Sequence, residues 1–132
     1  MTLAFLGDLP DPHGPAVALR HLARRVGRTP AKVGPRTLWL GSGAWAAAVS
    51  GLDRLGGEAA VAFEEHRSRS EAEAFLGHLT LARIPGRAEG RKPAPLGFSE
   101  EMELTEITLV RSELSPSGAR YRILAKEALR GT

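Results

Sequence analysis

Hydrophobic and polar positions change period along the chain, and each change marks a predicted element. Thr2 to Gly7 is an apolar run bounded by Gly7-Asp8 and Pro10-Asp11-Pro12, which predicts a short buried strand followed by a turn. From Pro15 to Val26 the apolar residues Leu19, Leu22 and Val26 recur at helical spacing among Arg20, Arg24 and Arg25, with Gly27 placed as a C-cap. Arg28 to Pro35 carries two prolines and reads as a basic loop. Thr37-Leu38-Trp39-Leu40 then reads as a second strand ended by Gly41. Ser42 can cap a second helix running from about Ala44 to Leu55, with Trp45, Val49 and Leu52 on one stripe and Gly56-Gly57 ending it.

Beyond that point the pattern loosens. Ala59 to Phe63 fits strand or helix, and the highly charged run Glu64 to Glu73 predicts a solvated connection. Leu76 to Ile84 is a strand stopped by Pro85-Gly86, and Gly86 to Pro95 has the composition of a mobile basic loop. In the last third, Ile107, Leu109 and Arg111 oppose Thr108, Val110 and Ser112, and a second run covers Arg120 to Ala125. Ser115-Pro116-Ser117-Gly118 between them predicts an antiparallel hairpin. Interleaved helices and strands with a terminal hairpin indicate an α+β class with a largely antiparallel sheet.

Length limits these elements to one domain, residues 1–132, with room for a single active site. No apolar run approaches the roughly 20 residues that span a bilayer, and the first residues lack the basic start of a secretory signal, so a cytoplasmic location without membrane contact is expected. The absence of cysteine excludes disulfides, thiolate metal sites and a cysteine nucleophile. A formal net charge of +3 comes almost wholly from arginine, since Lys32, Lys92 and Lys126 are the three lysines. That balance suits a polyanionic partner but identifies none, because an arginine-rich coding bias gives the same excess.

The chemistry-bearing signal is a strand-borne histidine and hydroxyl. Period-2 geometry puts His78 and Thr80 on the same face, where they could hold a phosphoryl oxygen while the imidazole transfers a proton near neutral pH. An isolated His-x-Thr is more often a satisfied core histidine than a catalyst. Arg83 could clamp a phosphate bidentately, yet three residues from Thr80 it faces away unless a bulge or the strand end turns it back. His13, His21 and His66 lie in solvated surroundings, and no pair of histidines has metal-ligand spacing.

Longer strings shift the balance. Gly77-His78-Leu79-Thr80-Leu81-Ala82-Arg83 resembles the second signature of the 2H phosphoesterases, His-x-Thr-Leu-x-Arg, and Thr2-Leu3-Ala4-Phe5-Leu6-Gly7 resembles the second half of the first, His-x-Thr-Leu-x-Phe-Leu-Gly. Pro35-Arg36-Thr37-Leu38-Trp39-Leu40-Gly41 and Glu106 to Ser112 continue the likeness in the same order. The chain thus resembles the RNA 2',3'-cyclic phosphodiesterase / 2'-5' RNA ligase family, cut inside its first motif, with the first histidine falling one residue before Met1. The resemblance implies a bilobal, pseudo-twofold pair of antiparallel sheets with outer helices, lacking the family's first strand and helix and incomplete at the N-terminus. The short stretch between Arg25 and Pro35 also leaves no room for the strand that the family places there.

The implied reaction uses no metal or cofactor. One imidazole activates water against a 2',3'-cyclic phosphate, the other protonates the departing 3' oxygen, and a 2'-phosphate results, with a weak reverse reaction that makes 2'-5' links. His78, Thr80 and Thr2 are the implied catalytic residues and Arg83 the implied substrate-binding one, the partner being an RNA or nucleotide with a 2',3'-cyclic phosphate end. With one imidazole of two, the activity is expected to be impaired. The alternative is a shortened homologue that binds RNA ends or nucleotides without turning them over. Loss of the leading strand and helix should also leave a sheet edge uncovered and favour self-association.

Overall fold

The computed structural model describes all residues except 42, 68–74, 85–90 and 132. Helix α1 (His13–Arg25) starts where Asp11 Oδ1 accepts the His13 N–H at 2.9 Å, and it buries Leu19, Leu22 and Ala23 along one stripe. Arg24 and Arg25 in its last turn suit the negative end of the helix dipole. Its last carbonyls are not left to solvent. The Arg130 N–H donates to Ala23 O at 2.9 Å and the Gly131 N–H to Val26 O at 3.1 Å, so the C-terminal end of the chain closes the helix.

Strands β1 (Thr29–Leu40) and β2 (Ala44–Ser50) follow, then helix α2 (Asp53–Phe63), a short turn of 3₁₀ helix over Glu64–His66, and strands β3 (His78–Arg83), β4 (Glu100–Leu104), β5 (Glu106–Ser115) and β6 (Gly118–Ala128). All pairings are antiparallel. One sheet has the order β3-β2-β1-β4, and β5-β6 forms a second, two-stranded one. Helix α1 packs on the hairpin, and the two lobes meet over α2. Leu55, Ala59 and Phe63 join the core of α1, Ile107 and Leu129, while Leu52 joins Ala31, Val33, Ala47 and Val49 beneath the four-stranded sheet. Leu22, Leu52 and Leu55 are almost fully buried, each contributing about 1.5–3 kcal/mol of transfer free energy.

The terminal hairpin is as the alternation predicts, with Ser115 opposite Gly118. Four other expectations are corrected. Ala44–Ser50 is strand, not helix: Trp45 and Val49 share a face under a period of two as well as 3.6, so periodicity cannot separate the cases, and enclosure between β1 and β3 overrides alanine's helix propensity. The N-cap expected at Ser42 lies outside the described residues. Gly56 and Gly57 sit inside α2 instead of ending it, and Gly56 leaves space that the Phe75 ring occupies against the helix. Thr29 to Pro35 is strand, not loop, and supplies the strand whose absence the sequence suggested. Pro30 precedes the part of β1 that pairs with β2, and Pro35 falls in the register shift between Val33 and Thr37, so neither removes a needed ladder bond.

The fourth correction concerns Thr2 to Gly7. Leu3 and Leu6 pack against the α1 core, but the segment joins no ladder among the described residues, and an extended chain is a strand only when its backbone groups are paired. Between it and β5 lies a crevice of about 1060 Å³ lined by Leu3, Leu6, Leu22, Phe63, Leu104 and Leu109 among others. Most of the expected loop Gly86 to Pro95 and of the charged run Glu64 to Glu73 falls outside the described residues. Strand β4 has no counterpart in the sequence reading. Its exposed Glu100, Glu101 and Glu103 hide a strand behind a charged sequence, and on a sheet edge such charges oppose unwanted pairing. No described helix is long and apolar enough to cross a membrane.

Candidate active site

The face of β3 decides whether His78, Thr80 and Arg83 can act together. Directly opposed residues of an antiparallel pair share a face, and His78 stands opposite Ala48, Thr80 opposite Ala46. Ala47 and Val49 point to the other side, into the core under the sheet, where Leu79 also packs. His78 therefore lies on the face turned away from that core and is half-buried; Thr80 is exposed.

Simple alternation would send Arg83 to the core side. The ladder instead shifts register between Trp45 and Ala46, so that Leu81 is the extra residue, Ala82 stands opposite Trp45 and Arg83 opposite Ala44. Ala44, Ala46 and Ala48 share one face by the period of two. The bulge thus returns Arg83 to the side of His78 and Thr80, which is the condition the sequence left open. The three residues stand in a row opposite Ala48, Ala46 and Ala44.

His78 is oriented as well as placed. Its Nδ1 lies 2.7 Å from Leu76 O, and a carbonyl can only accept, so Nδ1 carries a hydrogen and, in the neutral ring, the lone pair is on Nε2. Gly77 sets the start of this strand: the Val49 N–H donates to Gly77 O at 3.0 Å, and a Cβ on Gly77 would collide with the Val49 carbonyl oxygen.

The arginines separate into two groups. Arg20, Arg25 and Arg28 face Glu127, Glu58 and Glu103 at 3.4, 3.6 and 3.4 Å, in exposed pairs worth at most about 1 kcal/mol each. Arg83 has no such carboxylate among the described residues, and neither has Arg36. On the face that carries an imidazole and a hydroxyl, the Arg83 guanidinium is chemically able to offer a phosphoryl group a bidentate donor pair, and Nε2 of His78 is able to exchange a proton.

Thr2 is exposed and lines the crevice beside β5; His78, Thr80 and Arg83 are not among the residues that line it. His13 and His21 are exposed on α1, and His66 stands beside Glu65 at 3.7 Å. Arg36 is the cation that sequence reading passed over. The signal was present in the alternation of Arg36, Leu38 and Leu40 against Thr37 and Trp39, but the two prolines before it masked the strand.

No protein-family model matches the chain. It is 32% identical over 145 aligned residues to an RNA 2',3'-cyclic phosphodiesterase of Thermus thermophilus, an alignment covering 99% of this chain and 72% of the relative. Among solved structures, TT0787 of Thermus thermophilus superposes with a TM-score of 0.79 at 30% identity, covering 98% of this chain and 76% of that one. E. coli LigT complexed with 3'-AMP superposes with a TM-score of 0.74 at 26% identity, over 96% and 74% of the two chains.

Proposed function

Because the chain belongs to the RNA 2',3'-cyclic phosphodiesterase family of 2H phosphoesterases, we propose that the β3 row is half of a catalytic centre that takes a 2',3'-cyclic phosphate end. The observation that carries this reading is the bulge at Leu81, which sets a cation, a hydroxyl and an oriented imidazole on one face. Water attacks phosphorus, the bond from phosphorus to the 3' oxygen breaks, and the product is a 2'-phosphate. Water gives its proton to a base and the 3' oxygen takes one from an acid. Nε2 of His78 serves one of these transfers, Thr80 and Arg83 hold the non-bridging oxygens, and Thr2 belongs to the opposing half. With a 5' hydroxyl in place of water as nucleophile, the same displacement breaks the bond to the 3' oxygen and makes a 2'-5' link.

A second imidazole is needed for the other transfer, and His78 cannot act as acid and base in one transition state. The 132-residue polypeptide is therefore expected to be a slow catalyst and a better binder. Single-turnover hydrolysis of a nucleoside 2',3'-cyclic phosphate should be slow, give the 2'-phosphate, and fall to background with His78→Ala. A 3'-phosphate product, or a rate indifferent to His78, would overturn the assignment. The non-catalytic reading, an RNA-end or nucleotide binder, gains only if binding depends on His78 while no turnover is detected.

The same reading treats residues 1–132 as one domain in the cytoplasm, with a sheet edge left to another chain. Strand β5 pairs only with β6 among the described residues, and Val110, Leu114, Tyr121 and Ile123 on the hairpin are 43%, 92%, 74% and 57% exposed. An unpaired edge beside apolar side chains is a template for further pairing. Light scattering should show the mean mass rising with concentration, and Val110→Glu should return it to that of one chain. A constant monomer mass for the unaltered protein contradicts this part.

A further inference from the structure

The far half of the terminal hairpin is a two-faced ribbon whose outer edges pair with nothing among the described residues. Beyond the register shift after Leu109, Val110 stands opposite Ile123, Ser112 opposite Tyr121 and Leu114 opposite Ala119, while Arg111 stands opposite Arg122 and Glu113 opposite Arg120. Opposed residues share a face, so one face is largely apolar and the other charged. Alternation along β5 puts Arg111 and Glu113 on the side of the buried Ile107, so the apolar face is the one turned away from the α1 core. The charged face is unbalanced. Like charges directly opposed repel, and neither Arg111 nor Arg122 has a hydrogen bond or ion pair among the described residues.

The order of these residues selects an edge and a partner. Two antiparallel copies of one strand are related by a two-fold axis normal to the sheet, so each residue keeps its face and one residue stands opposite itself. On β5, an axis at Arg111 sets two arginines opposite each other and an axis at Glu113 two glutamates, while axes at Val110 or Leu114 give neither charge an opposite one. An axis at Ser112 sets Arg111 opposite Glu113 twice and Val110 opposite Leu114 twice. On β6, an axis at Tyr121 opposes Arg120 to Arg122, and an axis at either arginine opposes it to itself. Resting on the self-association proposed above, we infer that the partner is a second copy of this chain, joined β5 to β5 about an axis at Ser112 in a closed dimer. Each Glu113 then lies between Arg120 of its own hairpin and the partner's Arg111, and each Arg111 gains the carboxylate that its own hairpin does not set opposite it. Val110 and Leu114, 43% and 92% exposed in one chain, cover each other across the axis. The outer edges of the joined sheet are the β6 strands, whose arginines oppose further growth.

The test exchanges the two charges. Sedimentation equilibrium gives the dissociation constant of the unaltered 132-residue protein, of Arg111→Glu, of Glu113→Arg, and of the two variants mixed in equal amounts. The mass of the unaltered protein should level off at two chains. Each variant alone should dimerise about tenfold more weakly or worse, because like charges then face each other twice in each dimer. Arg111→Glu sets opposite charges across its own hairpin, where Arg122 stands, so its loss of the dimer cannot come from a weakened hairpin. The mixture should recover the affinity of the unaltered chain, since every contact between positions 111 and 113 then joins opposite charges. Variants that dimerise as the unaltered chain does, a mixture that stays monomeric, or a mass that rises past two chains would overturn the pairing at Ser112 and leave the self-association standing. An unaltered chain that stays monomeric at every concentration would leave the edge to a segment of its own chain or to another protein, and would remove the self-association and this inference together.

Discussion

A histidine supplied directly ahead of Met1, on a strand that fills the crevice beside β5, should raise single-turnover hydrolysis of a 2',3'-cyclic phosphate by about 10²–10⁴-fold. The proposed reaction needs two proton transfers, and the described residues offer one oriented imidazole on the β3 row. General acid or base catalysis by one more group is worth that range. The gain requires position as well as chemistry. A bare histidine on the unpaired Thr2 to Gly7 segment has no ladder to fix it, so it should recover little, whereas a longer extension able to pair with β5 should recover most. His78→Ala in the extended protein should cancel the gain. Comparison of these three forms at saturating enzyme checks the requirement, and equal rates in the short and extended forms would show that one imidazole suffices.

The second large effect is expected from a residue with no side chain. Gly77→Ala places a methyl group against the Val49 carbonyl oxygen, in a strand junction held by the Val49 N–H donating to Gly77 O. Crowding of this kind in a packed site costs about 1–3 kcal/mol. Relief of the clash must move the start of β3, and with it His78, whose ring is fixed through Leu76 O two residues away. Denaturation should show the stability loss, and binding of a nucleoside 2'-phosphate should weaken more than the populated folded fraction explains. Unchanged stability and binding would mean that the strand start is not constrained by Val49.

Much of the site was legible in the sequence because it depends on short-range geometry. His78 and Thr80 share a face through a period of two that any strand imposes, and the hairpin around Ser115 to Gly118 declares itself through alternation and turn chemistry. Arg83 was legible only as a condition. A bulge is a property of two strands, and the extra residue at Leu81 exists relative to Trp45 and Ala46, which the sequence placed on a helix. The alanines of β2 misled for the same reason, since their strand is imposed by neighbours on both sides.

Proline gave the other error. Pro30 and Pro35 read as loop because a central strand excludes proline, but β1 changes partner along its length, pairing with β4 from Thr29 to Val33 and with β2 from Lys32 to Leu40. Each proline sits where one side of the ladder is absent or irregular. The same prolines hid the strand that carries Arg36, so the missed strand and the missed cation have one cause. The predicted strand at Thr2 to Gly7 failed in the opposite sense: its apolar pattern is right for burial, and Leu3 and Leu6 do pack on the core, but pattern cannot supply a pairing neighbour.

The most direct test of the β3 row is a titration of the 132-residue protein with a nucleoside 2'-phosphate, followed through the ring nitrogens of His78 by ¹⁵N NMR. The account predicts that the Nε2 resonance shifts on binding while Nδ1 keeps the signature of a donor to Leu76 O, and that Arg83→Ala weakens the binding about tenfold or more. Saturable binding that leaves both His78 nitrogens unmoved, or that is indifferent to Arg83, would contradict it.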